Sequence, residues 1–162
     1  MDQARASRRG FLRSVGAAWA FPMVVSGRAR GASAPSERIR LGFVGIANQG
    51  TNNLKDFLKR PGVEVVALAD VDSKHLAAAA AIVEKAGGRP STSGDYRRLL
   101  DDPSLDGVVV STPDHWHALI TTDACLAGKD VYCEKPLSLT IAEGRRMVDV
   151  ARATNRVVQT GS

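Results

Sequence analysis

The sequence predicts an α/β fold: a doubly wound parallel sheet covered by helices on both faces, forming a single domain behind an N-terminal export signal. Three observations carry this reading. Short runs such as "VEVVALA" and "DGVVV" are apolar throughout, so they suit strands buried on both faces. These runs alternate with segments whose apolar residues recur at helical spacing. The alternation repeats six times, which suggests the strand order 3-2-1-4-5-6 of nucleotide-binding domains.

Each element follows from local chemistry. Residues 39–46, "IRLGFVGI", are an apolar run that ends in a Gly-containing turn, a buried first strand. Residues 50–60 place Leu54, Phe57 and Leu58 on one helical face, and Pro61-Gly62 stops the helix. The second strand is 63–71. A helix over 73–88 takes Ser73 as its N-cap and Gly87-Gly88 as its stop, with a five-alanine run as a close-packing face. A short third strand is placed at "RPSTS", and a short helix over 95–103 closes at Pro103. Then come a strand over 105–112, a helix over 115–129, a strand over 130–134 and a helix over 140–155. In that last helix Thr140 and Glu143 form a capping box. "RVVQTGS" begins a sixth strand.

The first 34 residues have a different character. Arg5, Arg8, Arg9 and Arg13 precede an uncharged, mostly apolar run from Val15 to Val25, and Ala32-Ser33-Ala34 offers a small-x-small cleavage pattern. The apolar run is about a dozen residues, short of the roughly 20 a spanning helix needs, so no stable membrane anchor is expected. "SRRGFLR" fits a twin-arginine signal, which implies the twin-arginine export machinery as a partner and a periplasmic or otherwise exported location. An ordinary secretory leader with adjacent arginines is the alternative. Of the 22 basic and 17 acidic residues, six and one lie in this segment, so 16 of each remain. The net charge of +5 therefore leaves with the signal, and no nucleic-acid role is expected. Cys125 and Cys133 are read as two buried free thiols, with a disulfide as the alternative.

The first strand-to-helix turn is "GIANQG": Gly45, Ile46, Ala47, Asn48, Gln49, Gly50. It reads G-x-A-x-x-G where a pyrophosphate-binding turn has G-x-G-x-x-G. Gly45 makes the tight turn, Gly50 lets helix meet strand, and Ala47 puts one methyl where backbone approaches phosphate. Weaker or shifted binding is expected, since helix N–H groups still favour an anion. Asp70 follows Gly50 by twenty residues, at the end of the second strand. There a carboxylate accepts ribose hydroxyls and repels a 2′-phosphate, which favours NAD over NADP, although Lys74 lies close by. A turn or capping aspartate is its plainer reading. "STPDHWH" and "EKP" fall at the carboxyl ends of the fourth and fifth strands, where ligands sit in such sheets. His115 and His117 are two apart, poor spacing for chelation, and no Cys/His set accompanies them, so no metal site is expected. His115 reads as a helix-start residue, Trp116 as packing and His75 as surface.

Taken in order, "GFVGIANQG", "VVALADVD", "DYRRLLDD", "VVVSTPDHWHA" and "VYCEKPLSLTIAEGRRMVDVA" resemble the N-terminal NAD(P)-binding Rossmann domain of the Gfo/Idh/MocA oxidoreductase family over about residues 38–162. The resemblance implies that Ser111, Thr112 and Pro113 line the diphosphate and nicotinamide ribose, that His117 sits near the nicotinamide, and that Glu134 contacts its ribose. It implies Pro136 as the residue that holds the turn, often after a cis bond. Lys135, otherwise a solvated surface lysine, becomes the catalytic lysine beside the substrate oxygen. The implied substrate is a small molecule of the sugar or polyol class, with homo-oligomers possible in a full-length form. In that family a second domain follows the sixth strand, so the chain is expected to be truncated and incomplete as a catalyst. A dinucleotide-binding module without catalysis, or a remnant that binds nothing, are the other readings.

Overall fold

Six strands form one sheet in the order β3-β2-β1-β4-β5-β6, and every pairing is parallel. The computed structural model describes residues 38–161. The export signal read in residues 1–34 lies outside the described residues.

The chain runs β1 (Ile39–Val44), α1 (Gln49–Leu58), β2 (Val63–Ala69), α2 (Ser73–Lys85), β3 (Ser91–Ser93), α3 (Tyr96–Leu100), β4 (Gly107–Val110), α4 (Asp114–Leu126), β5 (Asp130–Cys133), α5 (Ile141–Thr154) and β6 (Val158–Thr160). The predicted strand order is the observed one. Alternation within strands separates two cores. Val44, Ala67, Val108, Val110 and Val131 pack under α3, α4 and α5, with Ile120, Ala124, Met147 and Val150 facing them. Leu41, Phe43, Val65, Leu68 and Val109 pack on the other face against Leu54 of α1 and Ala79 and Val83 of α2. Phe57 bridges Phe43 and Tyr132 edge-to-face, at centroid distances of 5.8 and 5.6 Å.

The β1–β2 ladder is irregular. Leu41 pairs with Val65, but Gly42 pairs with Ala67, so β2 holds one extra residue. Past this bulge Val44 meets Ala69, and the Gly45 N–H donates to the Ala69 carbonyl at 2.9 Å. The bulge therefore sets the level at which the first turn meets the end of β2.

Two local readings are corrected. The N-cap of α2 is Asp72, not Ser73: its backbone is extended, and its carboxylate Oδ1 accepts the Lys74 N–H at 2.7 Å. Trp116 is not a core packing residue but is 40% exposed, because α4 begins at Asp114 and turns this position outward. The Thr140–Glu143 capping box is present as expected. Of the five alanines in α2 only Ala79 is buried, since an alanine run circles the helix while one face meets the sheet. Cys125 and Cys133 are buried free thiols. Among the described residues no helix is long and apolar enough to cross a membrane.

Candidate functional site

The turn after β1 is tied down on three sides. Gly45 has φ +79°, and a Cβ there would lie 2.8 Å from the Thr112 amide nitrogen. A Cβ on Gly50 would run into the Gly45 carbonyl oxygen. Asn48 caps α1 with φ 41° and makes no side-chain capping bond. The Ile46 N–H donates to Asp70 Oδ2 at 2.7 Å, and the Ile46 carbonyl accepts from Thr51 Oγ1 at 2.6 Å. Among the described residues, the N–H groups of Ala47, Asn48 and Gln49 have no protein acceptor. These donors crown the N-terminus of α1, the arrangement that attracts phosphate.

A cleft of 590 Å³ opens beside this turn. Of the residues predicted from sequence, it is lined by Gly45, Ala47, Asp70, Ser111, Thr112 and Pro113. The structure adds His75, Tyr96, Arg97 and Trp116, which sequence reasoning missed as site residues. Asp70 is held rigidly, since Oδ1 also accepts the Asp72 N–H at 2.9 Å, and His75 Nδ1 stands 3.9 Å from the same oxygen. Tyr96 donates to Asp123 Oδ2 at 2.6 Å. Burial, reinforced by that carboxylate, pushes its phenol up to about 12, so the hydroxyl stays a donor. The Arg97 guanidinium lies 4.9 Å over the Tyr96 ring, which gives the cleft wall a flat cationic edge. Thr112 Oγ1 is buried without a hydrogen-bond partner. A dinucleotide fits these features: free N–H groups and an unpaired hydroxyl can meet a diphosphate, while Asp70 can accept from a ribose.

Asn48, Gln49, Gly50, His117, Glu134, Lys135 and Pro136 do not line this cleft. A buried network connects part of that second group to it. Asn53 of α1, only 8% exposed, donates from Nδ2 to Ser111 Oγ at 3.0 Å and to Glu134 Oε1 at 2.9 Å. A carboxylate can only accept, so this fixes the amide's orientation. Asn53 Oδ1 accepts from Gln49 Nε2 at 3.1 Å. Glu134 Oε2 accepts the Lys135 N–H at 3.1 Å. Asn53 thus joins three elements, yet in "TNNLKD" it reads as one more polar residue on a helix face. Lys135 is exposed, directly after buried Glu134, and its bond to Pro136 is cis. His117 is 1% exposed and spans the Thr112 and Pro136 carbonyls. No group of three or more His, Cys, Asp or Glu side chains capable of holding a metal occurs among the described residues.

The comparisons match this geometry. A family model described as "Oxidoreductase family, NAD-binding Rossmann fold" matches residues 39–162. A "Glycosyl hydrolase family 109 protein 1" of Shewanella sp. (strain ANA-3) is 34% identical over 125 residues, covering 74% of this chain and 27% of the relative. An "Alpha-N-acetylgalactosaminidase" of Shewanella oneidensis shows the same identity and coverage. Among solved structures, myo-inositol dehydrogenase from Lactobacillus casei, in complex with NAD(H) and myo-inositol, is 28% identical with a TM-score of 0.70 over 76% of this chain and 36% of its own. The chain therefore spans about a quarter of the length of its curated relatives. The glycine turn, the strand order and the family match agree: this chain belongs to the Gfo/Idh/MocA oxidoreductase family, and residues 39–162 are its NAD-binding Rossmann domain.

Proposed function

We propose that this domain serves an exported NAD-dependent oxidoreductase that moves hydride between nicotinamide and a hydroxyl or carbonyl carbon of a sugar or polyol. The observation that carries the proposal is the cleft beside the head of α1, lined by Ala47 with its unpaired N–H and by the part-buried Asp70 at the end of β2. A bound nicotinamide supplies the hydride acceptor or donor. The chain's own residues bind and orient. Ala47, Asn48 and Gln49 meet the diphosphate with backbone N–H groups, and Thr112 Oγ1 adds a hydroxyl donor. Asp70 takes the adenosine ribose. Lys135 donates from Nζ to the substrate oxygen and stabilises the negative charge that develops there as the C–H bond breaks. Glu134, held by Asn53, fixes the backbone from which Lys135 projects. The leader belongs to the same reading, because the twin-arginine route exports proteins already folded around a cofactor.

The test is a titration of the chain with NADH, followed by nicotinamide fluorescence and thermal midpoint. Saturable binding with a raised midpoint is expected, and a folded protein that does not bind would refute the reading. Asp70 needs a careful variant, because it also holds the Ile46 N–H. Asp70→Asn keeps an acceptor for that N–H and removes the charge, together with the oxygen that accepts the Asp72 N–H. The expected result is a fall of about tenfold in the NAD-over-NADP preference, roughly 1.4 kcal/mol. An unchanged ratio would show that Asp70 only braces the turn.

A second reading is favoured by one observation: the curated relatives at 34% identity are named as glycosidases. Hydride can be withdrawn from a sugar and returned to it within one turnover, so that the net reaction is glycoside cleavage; nicotinamide-dependent glycosidases of this kind exist. In a protein of the relatives' full length, cleavage of an N-acetylgalactosaminide without net NADH would select this reading. NADH formed one-for-one with oxidised sugar would select the first.

A further inference from the structure

His117 lies in the second layer of the site, and its two hydrogen bonds carry more information than its burial. Nδ1 stands 2.7 Å from the Pro136 carbonyl oxygen and Nε2 stands 2.7 Å from the Thr112 carbonyl oxygen. Carbonyl oxygens only accept. A neutral imidazole has one N–H and one lone pair, so it can serve one of them and must repel the other. Only the doubly protonated ring donates to both.

We propose that His117 is a buried imidazolium at neutral pH, which clamps the Thr112 segment after β4 to the Lys135–Pro136 turn after β5. It is a positioning residue: it fixes the distance between the segment that meets the cofactor and the turn that carries Lys135.

The surroundings support the charge. The ring is 1% exposed, and no carboxylate lies within 4 Å of it among the described residues, so no ion pair neutralises it. The titratable groups on the elements around it are Asp114, His115, Asp123 and Cys125 on its own helix, Asp130, Tyr132 and Cys133 on β5, and Glu134 and Lys135 in the turn. Of these, the Cys133 side chain reaches the ring. Burial works against the charge. The Cys133 sulfur and the Pro136 and Thr112 carbonyls outweigh it and hold the ring's pKa raised to about 9. Charge-assisted bonds to two carbonyls are the compensation a desolvated cation requires. Since the folded value lies above the ordinary 6.5, the stabilisation is complete below 6.5 and disappears as pH rises through about 9. A carboxylate partner would have been visible as a sequence pattern; two backbone carbonyls are not.

The test reads the charge directly. Nitrogen-detected NMR of the ¹⁵N-histidine-labelled chain at pH 8 is expected to show one ring of three with both nitrogens protonated, titrating near pH 9. His75 and His115 are exposed, so His75→Gln and His115→Gln assign the other two signals without disturbing the core. Three neutral rings at pH 8 would overturn the proposal. The clamp's role in the site rests on the dinucleotide reading and has its own readout: NADH affinity should fall at least fivefold between pH 7.5 and 10. A cationic ring with a flat NADH affinity over that range would overturn the positioning role. A cationic ring in a chain that binds no NADH at any pH would support the charge state and count against the dinucleotide reading alone.

Discussion

Gly50→Ala is expected to abolish NADH binding, with a loss beyond about 100-fold, and to lower the thermal midpoint by about 10 °C. The added methyl collides with the Gly45 carbonyl oxygen, which is backbone and cannot swing aside. Nor can the turn retreat, because the Gly45 N–H is bonded to Ala69 and the Gly50 N–H to Ala47 at 2.8 Å. The helix must therefore shift away from the strand, and its N–H groups leave the positions from which, on the proposed reading, they meet a diphosphate. Gly62→Ala is the control. Gly62 has φ +82°, so alanine there costs about 1 kcal/mol of backbone strain, but nothing lies within 4 Å of the new methyl. That variant should lose a little stability and no NADH affinity. Calorimetry and a fluorescence titration check both. Gly50→Ala binding within threefold of the parent would sink the account of the turn.

Asn53→Asp is expected to be the most damaging conservative change. At neutral pH it sets a second carboxylate where the Asn53 amide now lies 2.9 Å from buried Glu134, and it removes the donor that Ser111 and Glu134 share. Breaking a buried polar network in this way costs on the order of 3 kcal/mol, about 10 °C in midpoint for a domain of this size. The sign of the pH dependence identifies the cause. Below the carboxylate range the pair shares a proton and one oxygen becomes a donor again. The gap to the parent should therefore narrow as pH falls from 7 to 4.5. A gap that stays constant with pH would assign the damage to packing.

The fold was legible because its strands are buried on both faces. Such strands write themselves as unbroken apolar runs, and Gly, Pro and capping residues punctuate the helices between them. The glycine turn and Asp70 were legible for the same local reason, since their spacing is fixed by one strand, one turn and one helix. What escaped depends on elements far apart in sequence. Asn53 reaches Glu134 across 81 residues, and nothing within "TNNLKD" marks it as buried. Tyr96 and Trp116 come to the cleft because α3 and the start of α4 flank the end of β4, and each alone reads as an ordinary aromatic. The cap at Asp72 was misassigned to Ser73 by one position, because adjacent capping residues compete and only the backbone decides.

The extra residue in β2 has a consequence for how the gene can tolerate changes of length. A strand advances about 3.3 Å per residue and reverses its faces with each step. The bulge lies between the Leu41–Val65 and Gly42–Ala67 pairs, and everything beyond it is counted from there to Asp70. Deleting Val66 would restore a regular ladder at the base of the sheet. It would leave the pairs from Gly42–Ala67 to Val44–Ala69 in place, so Asp70 would stay level with the turn; deleting Leu68, beyond the bulge, would instead draw Asp70 back by one position and turn its carboxylate to the opposite face, away from the Ile46 N–H. An insertion in the exposed turn at Pro61-Gly62, upstream of the bulge, changes none of these distances. Loops at the amino ends of the strands are thus free to drift in length, while β2 works as a ruler whose three regular steps beyond the bulge keep the carboxylate level with the turn.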